Sequence, residues 1–262
     1  MNNKVILISI DGMRPDGLKQ CKNPYVEELI HRASFSFSAR TVFPSVTLPC
    51  HMSMFHSVPP QRHGITTNVY MPQVRPIDGL FEQIKKADKV SAMFYGWEPL
   101  RDISRPESLK KADYINAYSF EHTDGMLTES AIDYITKAKP DFVFLYMVET
   151  DEKGGHDNGW MSDAYLDYIS HAISNVKKVI EATDGEYTVI VTADHGGHDR
   201  AHGSALDEDM TIPMMFYGPQ FNPGEELSRV SILDLAPTIA EIMGVQKANE
   251  WEGKSLIASN KQ

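Results

Sequence analysis

Residues 5–11 read VILISID, a short apolar run that ends at an aspartate. Two later stretches have the same form: FVFLYMVET at 142–150 comes before Asp151, and YTVIVTA at 187–193 comes before Asp194. Short apolar runs are typical of strands that are buried on both faces of a sheet. An open α/β sheet binds its ligands just beyond the carboxyl ends of its strands, so we expect the three aspartates to meet there.

Strand-like and helix-like segments alternate along the rest of the chain. The pattern predicts further strands at Val90–Tyr95 and Ile212–Tyr217, and helices at Tyr25–Arg32, 78–87, 124–138, 162–182 and 232–243. This alternation predicts an α/β fold with a doubly wound, largely parallel central sheet and helices on both faces. Since the chain has no repeat or linker, we expect a single domain over 1–262. The loop-rich region 96–122 could form a small cap over the site.

Composition and charge exclude several classes of function. The 262 residues carry a net charge of −11. A nucleic-acid polymer needs a basic face, so we expect no such partner, whereas a small phosphorylated substrate can bind if cations supply positive charge. Cys21 and Cys50 are too few for a disulfide framework. The chain has neither a signal-peptide core nor a run near the ~20 apolar residues of a membrane span, so we expect a cytoplasmic protein that does not bind membranes. Its oligomeric state stays open.

Histidines accompany the aspartates and indicate metal. Three carboxylates at one sheet edge would repel one another unless cations or protons neutralised them. His156 follows Asp151 in DEKGGH, and His195, His198 and His202 follow in TADHGGHDRAHGS at 192–204. A strand-end aspartate often only caps the next helix or turn, but oxygen and imidazole donors without thiolates suit Zn²⁺ or Mn²⁺. Seven candidate ligands favour two divalent ions over one.

The stretch TVFPSVTLPCHMSMFH at 41–56 brings a hydroxyl group to the same chemistry. Thr47 lies just before Pro49, and proline is favoured in the first turn of a helix. Free backbone N–H groups at a helix start can cradle a phosphate. Thr47 is therefore either an ordinary helix cap or, beside a metal that helps to ionise its hydroxyl, a nucleophile.

Together these motifs resemble the alkaline phosphatase superfamily and, within it, the type I phosphodiesterase/nucleotide pyrophosphatase family. The matching segments follow the family's order and span almost the whole chain: ISIDGMRPD at 8–16, FPSVTLPCHMS at 43–53, HGITTN at 63–68, ETDEKGGHDNGW at 149–160, TADHGG at 192–197, HGS at 202–204, TIP at 211–213 and ILDLAPTIAEIMG at 232–244. The resemblance implies an alkaline phosphatase-like fold.

The resemblance also implies a role for each site residue. One metal would be held by Asp11, Thr47, Asp194 and His195, and the other by Asp151, His156 and His202. Thr47 would be the nucleophile and form a covalent phosphothreonine-type intermediate, while Asn68 would hydrogen-bond a phosphate oxygen. The expected function is a two-metal hydrolase of phosphodiester or pyrophosphate bonds, with Zn²⁺ as the first choice of metal and Mn²⁺ as the second.

Several alternatives stay open. His198 or His202 could complete the second metal site; the longer reach of His202 favours it and leaves His198 behind the ligands or on the substrate side. Arg14 and Arg200 could bind the substrate phosphate or form surface ion pairs. A phosphomonoesterase or a phosphonate hydrolase would keep the same metals, and a catalytically silent metal-dependent binding protein belongs to another class. DEKGGH is also one residue longer than the family's usual spacing, which leaves the path to His156 open.

Overall fold

Seven strands form one mixed sheet in the order β2-β7-β6-β1-β5-β3-β4. A computed structural model of the chain describes residues 3–257 apart from residue 184. The strands are β1 (Val5–Ile10), β2 (Ser34–Arg40), β3 (Ser91–Tyr95), β4 (Lys111–Tyr114), β5 (Phe142–Met147), β6 (Thr188–Thr192) and β7 (Thr211–Tyr217). Only β7 runs against the others, because it pairs antiparallel with both β6 and β2 while the remaining pairs are parallel. The expected doubly wound, largely parallel α/β sheet is confirmed.

Nine α-helices are described in this part of the chain: α1 (Pro15–Gln20), α2 (Tyr25–Arg32), α3 (Thr47–His56), α4 (Pro60–His63), α5 (Leu80–Lys86), α6 (Thr123–Ala138), α7 (Asp163–Thr183), α8 (Asp207–Met210) and α9 (Leu235–Met243). Short 3₁₀ helices lie at Glu98–Ile103 and Ile232–Asp234, and a π-helix lies at Thr150–His156. None of the described helices combines the length and apolar character needed to cross a lipid bilayer.

The helices cover both faces of the sheet. On one face, α3 lies over β1 and β5: His51 contacts Ser9 through a 3.1 Å hydrogen bond and lies 5.2 Å from the ring of Tyr146, and Ser9 and Tyr146 are register partners. On the other face, Tyr134 of α6 packs 6.0 Å from the ring of Phe94 on β3. α6 and α7 pack against each other on that face, and α3, α5 and α9 form the opposite layer.

The three apolar runs form the centre of the sheet. β6, β1 and β5 are adjacent, and every residue of these three strands is buried. Because the three strands are parallel, their carboxyl ends meet at one edge. The expected meeting of the strands that precede Asp11, Asp151 and Asp194 follows from this order.

Two edge strands were not expected from the sequence. β2 reads SFSFSAR and β4 reads KADY, so neither is a continuous apolar run. Both lie at an edge of the sheet, where polar side chains are tolerated, and in the described residues the outer side of β2 pairs only through isolated bridges to Glu226 and Ser231. β4 lies within 96–122, the region expected to form a small cap. That region therefore extends the main sheet and also carries the 3₁₀ helix Glu98–Ile103.

Candidate metal-binding active site

Three aspartates converge beyond the central strands. Asp11 directly follows β1, Asp194 lies two residues after β6, and Asp151 lies in the π-helix after β5. These three residues are at most 5% exposed. Each has one buried carboxylate oxygen without a hydrogen-bond partner in the described part of the chain: Asp11 Oδ1, Asp151 Oδ1 and Asp194 Oδ2. Buried polar atoms are normally paired, so three unpaired oxygens at one place indicate a site for cations.

The electrostatics of the three carboxyl groups lead to the same conclusion. The pKa of Asp11 is raised well above its usual range, mainly by burial and also by the neighbouring Asp194 carboxylate. Burial, and then Asp11, does the same to the pKa of Asp151, and burial raises the pKa of Asp194 to about 7. Without added positive charge the three groups cannot all ionise near neutral pH. Divalent cations would supply that charge.

Three imidazole rings have Nε2 near these carboxylates and Nδ1 near a backbone carbonyl. The Nδ1 atoms of His156, His195 and His202 lie 2.8–3.0 Å from the backbone carbonyls of Arg200, Gly196 and Ser45. A carbonyl only accepts, so each Nδ1 carries the proton and donates it. Each Nε2 therefore carries a lone pair and no proton, as a metal ligand requires, and the backbone fixes the orientation of each ring.

The Nε2 atoms lie close to the carboxylate oxygens. His195 Nε2 is 3.2 Å from Asp11 Oδ1 and 3.4 Å from Asp194 Oδ2. His156 Nε2 is 3.4 Å from Asp151 Oδ2, and His202 Nε2 is 4.0 Å from Asp151 Oδ1. We call Asp11, Thr47, Asp194 and His195 the inner group, and Asp151, His156 and His202 the outer group.

Ligand atoms within 4.8 Å of one another form two sets in the described residues. One set is Asp11, Asp194 and His195, and the other is Asp151, His195 and His202. His195 belongs to both, because its ring stacks on that of His202 with centroids 3.8 Å apart. His156 lies near Asp151 but outside both sets, so it holds the more peripheral position.

A π-helix accommodates the long spacing between Asp151 and His156. Residues 150–156 form this π-helix, a type of turn that often takes up one extra residue in a helix. The extra residue of DEKGGH therefore does not carry His156 away, and its Nε2 still lies 3.4 Å from Asp151.

Thr47 begins α3 and faces the inner group. The N-cap of α3 is Val46, and the Thr47 hydroxyl lies 3.2 Å from His195 Nε2. Thr47 is thus the first residue inside the helix, and its side chain does not cap it. The interpretation of Thr47 as an ordinary cap is wrong.

The start of α3 offers fewer backbone donors than expected. Leu48 N–H donates to Asn68 Oδ1 at 3.0 Å, Pro49 has no N–H, and Cys50 N–H donates to the Val46 carbonyl at 3.0 Å. The expected cradle of free N–H groups is therefore largely occupied. The Leu48 N–H fixes the oxygen of the Asn68 amide. The NH₂ group of Asn68 therefore remains to donate to a ligand.

His198 lies apart from the metal-ligand sets. Its Nδ1 donates to Asp209 Oδ1 at 2.7 Å, and this hydrogen bond raises the pKa of His198. Asp209 is fully buried, and its Oδ2 also accepts from the Ser204 N–H at 2.8 Å. His198 thus helps to anchor the loop that connects His195 and His202.

The two arginines point to other contacts. The Arg14 guanidinium pairs with Asp16 at 2.6 Å and donates to the Gly197 carbonyl at 3.0 Å. Arg200 is exposed, and its contact with the site is its backbone carbonyl, which accepts from His156. Neither side chain is among the described residues that line the cleft over the aspartates.

The cleft over these groups is polar and partly aromatic. It is lined by Asp11, Thr47, Asn68, Trp97, Tyr118, Tyr146, Val148, Asp151, Glu152, His156 and His202. None of these lining residues is a lysine or an arginine. Sequence reasoning missed Tyr146, whose hydroxyl donates to Asp11 Oδ2, because it lies within an apolar run that reads as buried strand. It also missed Tyr118 and Glu152, which are linked by a 3.2 Å hydrogen bond across a large sequence separation.

Comparison with known proteins places this geometry in a family. Residues 5–210 match the family model described as type I phosphodiesterase / nucleotide pyrophosphatase. The chain is 22% identical over 218 residues to ectonucleotide pyrophosphatase/phosphodiesterase family member 1 of Rattus norvegicus, and the alignment covers 73% of this chain and 24% of that protein. It is 27% identical over 138 residues to a 2,3-bisphosphoglycerate-independent phosphoglycerate mutase of Hydrogenovibrio crunogenus, and the alignment covers 50% of this chain and 26% of that protein. The chain thus spans about a quarter of the length of these two curated relatives.

The fold has a close structural counterpart. Murine ectonucleotide pyrophosphatase / phosphodiesterase 5 superposes with a TM-score of 0.78 at 16% identity, covering 93% of this chain and 96% of that chain. An inactive threonine-to-alanine variant of the murine protein has been solved in complex with AMP. The family model covers well over half of the chain, and the fold is alkaline phosphatase-like. The chain therefore belongs to the type I phosphodiesterase/nucleotide pyrophosphatase family.

Proposed function

We propose that the chain is a two-metal phosphohydrolase that cleaves phosphodiester or pyrophosphate bonds, with Thr47 as its nucleophile. One observation carries the proposal. Three buried carboxylate oxygens that have no hydrogen-bond partner among the described residues, on Asp11, Asp151 and Asp194, lie beside imidazole lone pairs at the end of the sheet. Cations would neutralise this donor set and use the oxygen and imidazole lone pairs that face one another.

The donor chemistry supports an assignment of residues to two ions. The inner group would hold one ion and the outer group the other. Carboxylate, hydroxyl and imidazole donors suit Zn²⁺ first and Mn²⁺ second, and the two free cysteines, Cys21 and Cys50, are not in either set. When bound, the two cations would act as Lewis acids that neutralise charge on the phosphoryl group and its leaving oxygen.

The residues of the chain would then perform the remaining steps. Thr47 Oγ1 gives its proton to solvent water and attacks phosphorus; an O–P bond forms while the bond to the leaving oxygen breaks, and that oxygen departs with the electron pair and is protonated by water. Asn68 donates from its NH₂ group to a phosphoryl oxygen, because its oxygen is held by Leu48 N–H. Water then hydrolyses the phosphothreonine-type intermediate and restores the Thr47 hydroxyl.

The lining of the cleft favours a diester over a monoester. A monoester dianion needs more positive charge at the phosphate than a diester monoanion, and none of the described residues that line this cleft is a lysine or an arginine. A phosphomonoesterase or a phosphonate hydrolase remains the second candidate, since either would use the same donor set. The AMP complex of the murine protein makes a nucleotide ester a natural test substrate. A catalytically silent metal-binding protein is the alternative from another class.

The partners of the chain follow from the same charge distribution. We propose a small phosphorylated substrate and no nucleic-acid polymer or membrane, because the net charge is −11 and the cleft has no basic lining among the described residues. The proposal includes a cytoplasmic location, with which the free cysteines Cys21 and Cys50 agree.

The deciding experiment compares three substrates on the purified full chain. Bis-(p-nitrophenyl) phosphate, a nucleotide p-nitrophenyl ester and p-nitrophenyl phosphate are assayed after exhaustive chelation and after return of Zn²⁺ or Mn²⁺. We expect no turnover without metal and a preference for the two diesters with metal. A preference for the monoester supports the second candidate. No turnover in any metal supports the binding protein, and full activity in metal-free protein contradicts the two-metal scheme.

A further inference from the structure

Trp160 touches all three loops that carry the site aspartates. Its indole N–H donates to the carbonyl of Gly12, the residue after Asp11, at 2.9 Å. Its ring lies against Gly155 in the π-helix that contains Asp151, and against Gly197 in the loop after Asp194. Trp160 is 7% exposed. One buried ring therefore connects the carboxyl ends of β1, β5 and β6.

The contact with the two glycines leaves no room for adjustment. A Cβ atom at Gly155 would lie 2.5 Å from the indole ring, and a Cβ at Gly197 would lie 2.2 Å from it. Real contacts of this kind are much longer, so both backbones approach the ring as closely as only glycine allows. The ring thus sets the spacing between the π-helix and the His195–His202 loop.

The same ring contacts both imidazoles of the outer group. The ring centroids of Trp160 and His156 are 5.2 Å apart at an interplanar angle of 84°, and those of Trp160 and His202 are 6.0 Å apart at 62°. His156 lies at the end of the π-helix and His202 lies in a loop. Each donates one hydrogen bond to a backbone carbonyl, and the His202 ring also stacks on that of His195. Two rings on separate segments need a common support if their Nε2 atoms are to face one ion.

We propose that Trp160 is the positioning residue of the outer group and sets the affinity of that group for its metal ion. The inference rests on the proposed function, because it requires that the outer group binds a cation. Trp160 does not bind the ion or the substrate. It holds the two imidazoles at the spacing the ion requires, and outer partners of metal ligands typically change metal affinity by roughly 10–100-fold.

The chain contains a matched control. Trp251 is 6% exposed, and its indole N–H donates to the Asp78 carbonyl at 2.8 Å, but no described contact links it to the metal-ligand groups. Trp160→Phe and Trp251→Phe thus remove the same ring and the same kind of hydrogen bond from two equally buried places. Any general loss of stability should be similar in both variants.

The experiment measures Zn²⁺ affinity by competition with a chelator in the full chain, with His202→Ala used to identify the ion of the outer group. Trp160→Phe should reduce the affinity for the outer ion by about 10–100-fold and leave the affinity for the inner ion unchanged. Trp251→Phe should change neither affinity. Equal Zn²⁺ affinities in the two tryptophan variants would overturn the inference. Wild-type protein that binds no second ion would instead contradict the proposed function.

A second measurement covers the case in which Trp160→Phe does not fold. The chain has three tryptophans, so the double variant Trp97→Phe, Trp251→Phe leaves Trp160 as the single indole emitter. Its fluorescence should change as the outer ion binds and should not change when the inner ion binds alone. Emission that stays constant through occupation of both sites would overturn the inference.

Discussion

The inner and outer groups lie side by side at one sheet edge, but the chain builds them in different ways. The inner residues follow buried strands or begin a helix, and they are at most 5% exposed. The outer histidines lie at the end of a π-helix and in a loop, and their side chains are 36% and 11% exposed. Strand ends are held by the sheet, whereas loops are held by local contacts. We therefore expect the inner site to tolerate changes in its surroundings better than the outer site.

Removal of the nucleophile should have the largest effect. Thr47→Ala deletes the hydroxyl that lies 3.2 Å from His195 Nε2, so kcat should fall by roughly three or more orders of magnitude while the fold survives. Thr47→Ser keeps the hydroxyl and should retain measurable turnover. Steady-state kinetics on a diester with both metals present measures the difference. An alanine variant nearly as active as the parent would assign the attack to water.

Removal of single histidines tests the comparison directly. His202→Ala should lose the outer ion, keep the inner one and lose nearly all activity. His195→Ala should lose the inner ion and also bind the outer ion with lower affinity, because His195 belongs to both sets of ligand atoms. Metal analysis of the purified variants should therefore give close to one ion per chain for His202→Ala and fewer for His195→Ala. The reverse order would show that the two groups are not built as described.

The metal-free protein should respond to pH through its buried carboxyl groups. The folded chain keeps the proton of Asp194 up to its pKa of about 7, whereas an unfolded aspartate releases it near pH ~4. The raised pKa values of Asp11 and Asp151 act in the same direction. Since the folded state then binds more protons, folding stability falls as pH rises through this range.

Buried histidines oppose this trend only at lower pH. Burial lowers the pKa of His51 and of His202 to about 3, so unfolded chains take up protons at these residues below pH ~6.5. Above that value the buried carboxyl groups act, and His198, whose pKa Asp209 raises, acts in the same direction. The melting temperature of metal-free protein should therefore fall from about pH 6.5 upward, and more steeply than that of zinc-loaded protein, in which the buried Asp124, with a pKa raised to about 8, still acts. A metal-free melting temperature that rises over this interval would contradict the proposed electrostatics.

The difference between the two groups also decides what the sequence could predict. Apolar runs that end in Asp11, Asp151 and Asp194 identify three central strands, and parallel strands bring their ends together. The sequence contains no comparable signal for the π-helix or for the ring of Trp160 between two glycines, because both depend on contacts between distant loops. The occupied N–H of Leu48 escaped prediction for the same reason, since its acceptor lies 20 residues away.

Changes in the contacts of the loop that connects His195 and His202 should have a smaller effect. His198→Ala removes the hydrogen bond that the Asp209 carboxylate accepts from the loop between His195 and His202, and leaves the one that it accepts from the Ser204 N–H. Both ions should stay bound, and kcat/KM should fall by less than about tenfold. Asp209→Asn, which disturbs both hydrogen bonds, should cost more than His198→Ala. A His198→Ala protein that arrives with one ion would make His198 a ligand.

The smallest effect is expected at Arg200, where backbone and side chain have separate roles. The backbone carbonyl of Arg200 orients His156, while the exposed guanidinium is not among the described residues that line the cleft. Arg200→Ala keeps the carbonyl, so the outer ion should remain and kcat/KM for a diester should change by less than about twofold, the range of an ordinary surface substitution. The matched variant His156→Ala removes the ring that the carbonyl holds and should lose the outer ion. If Arg200→Ala instead raised KM by tenfold with both ions bound, the guanidinium would contact the substrate phosphate, and the outer side of the cleft would carry the positive charge that its lining lacks.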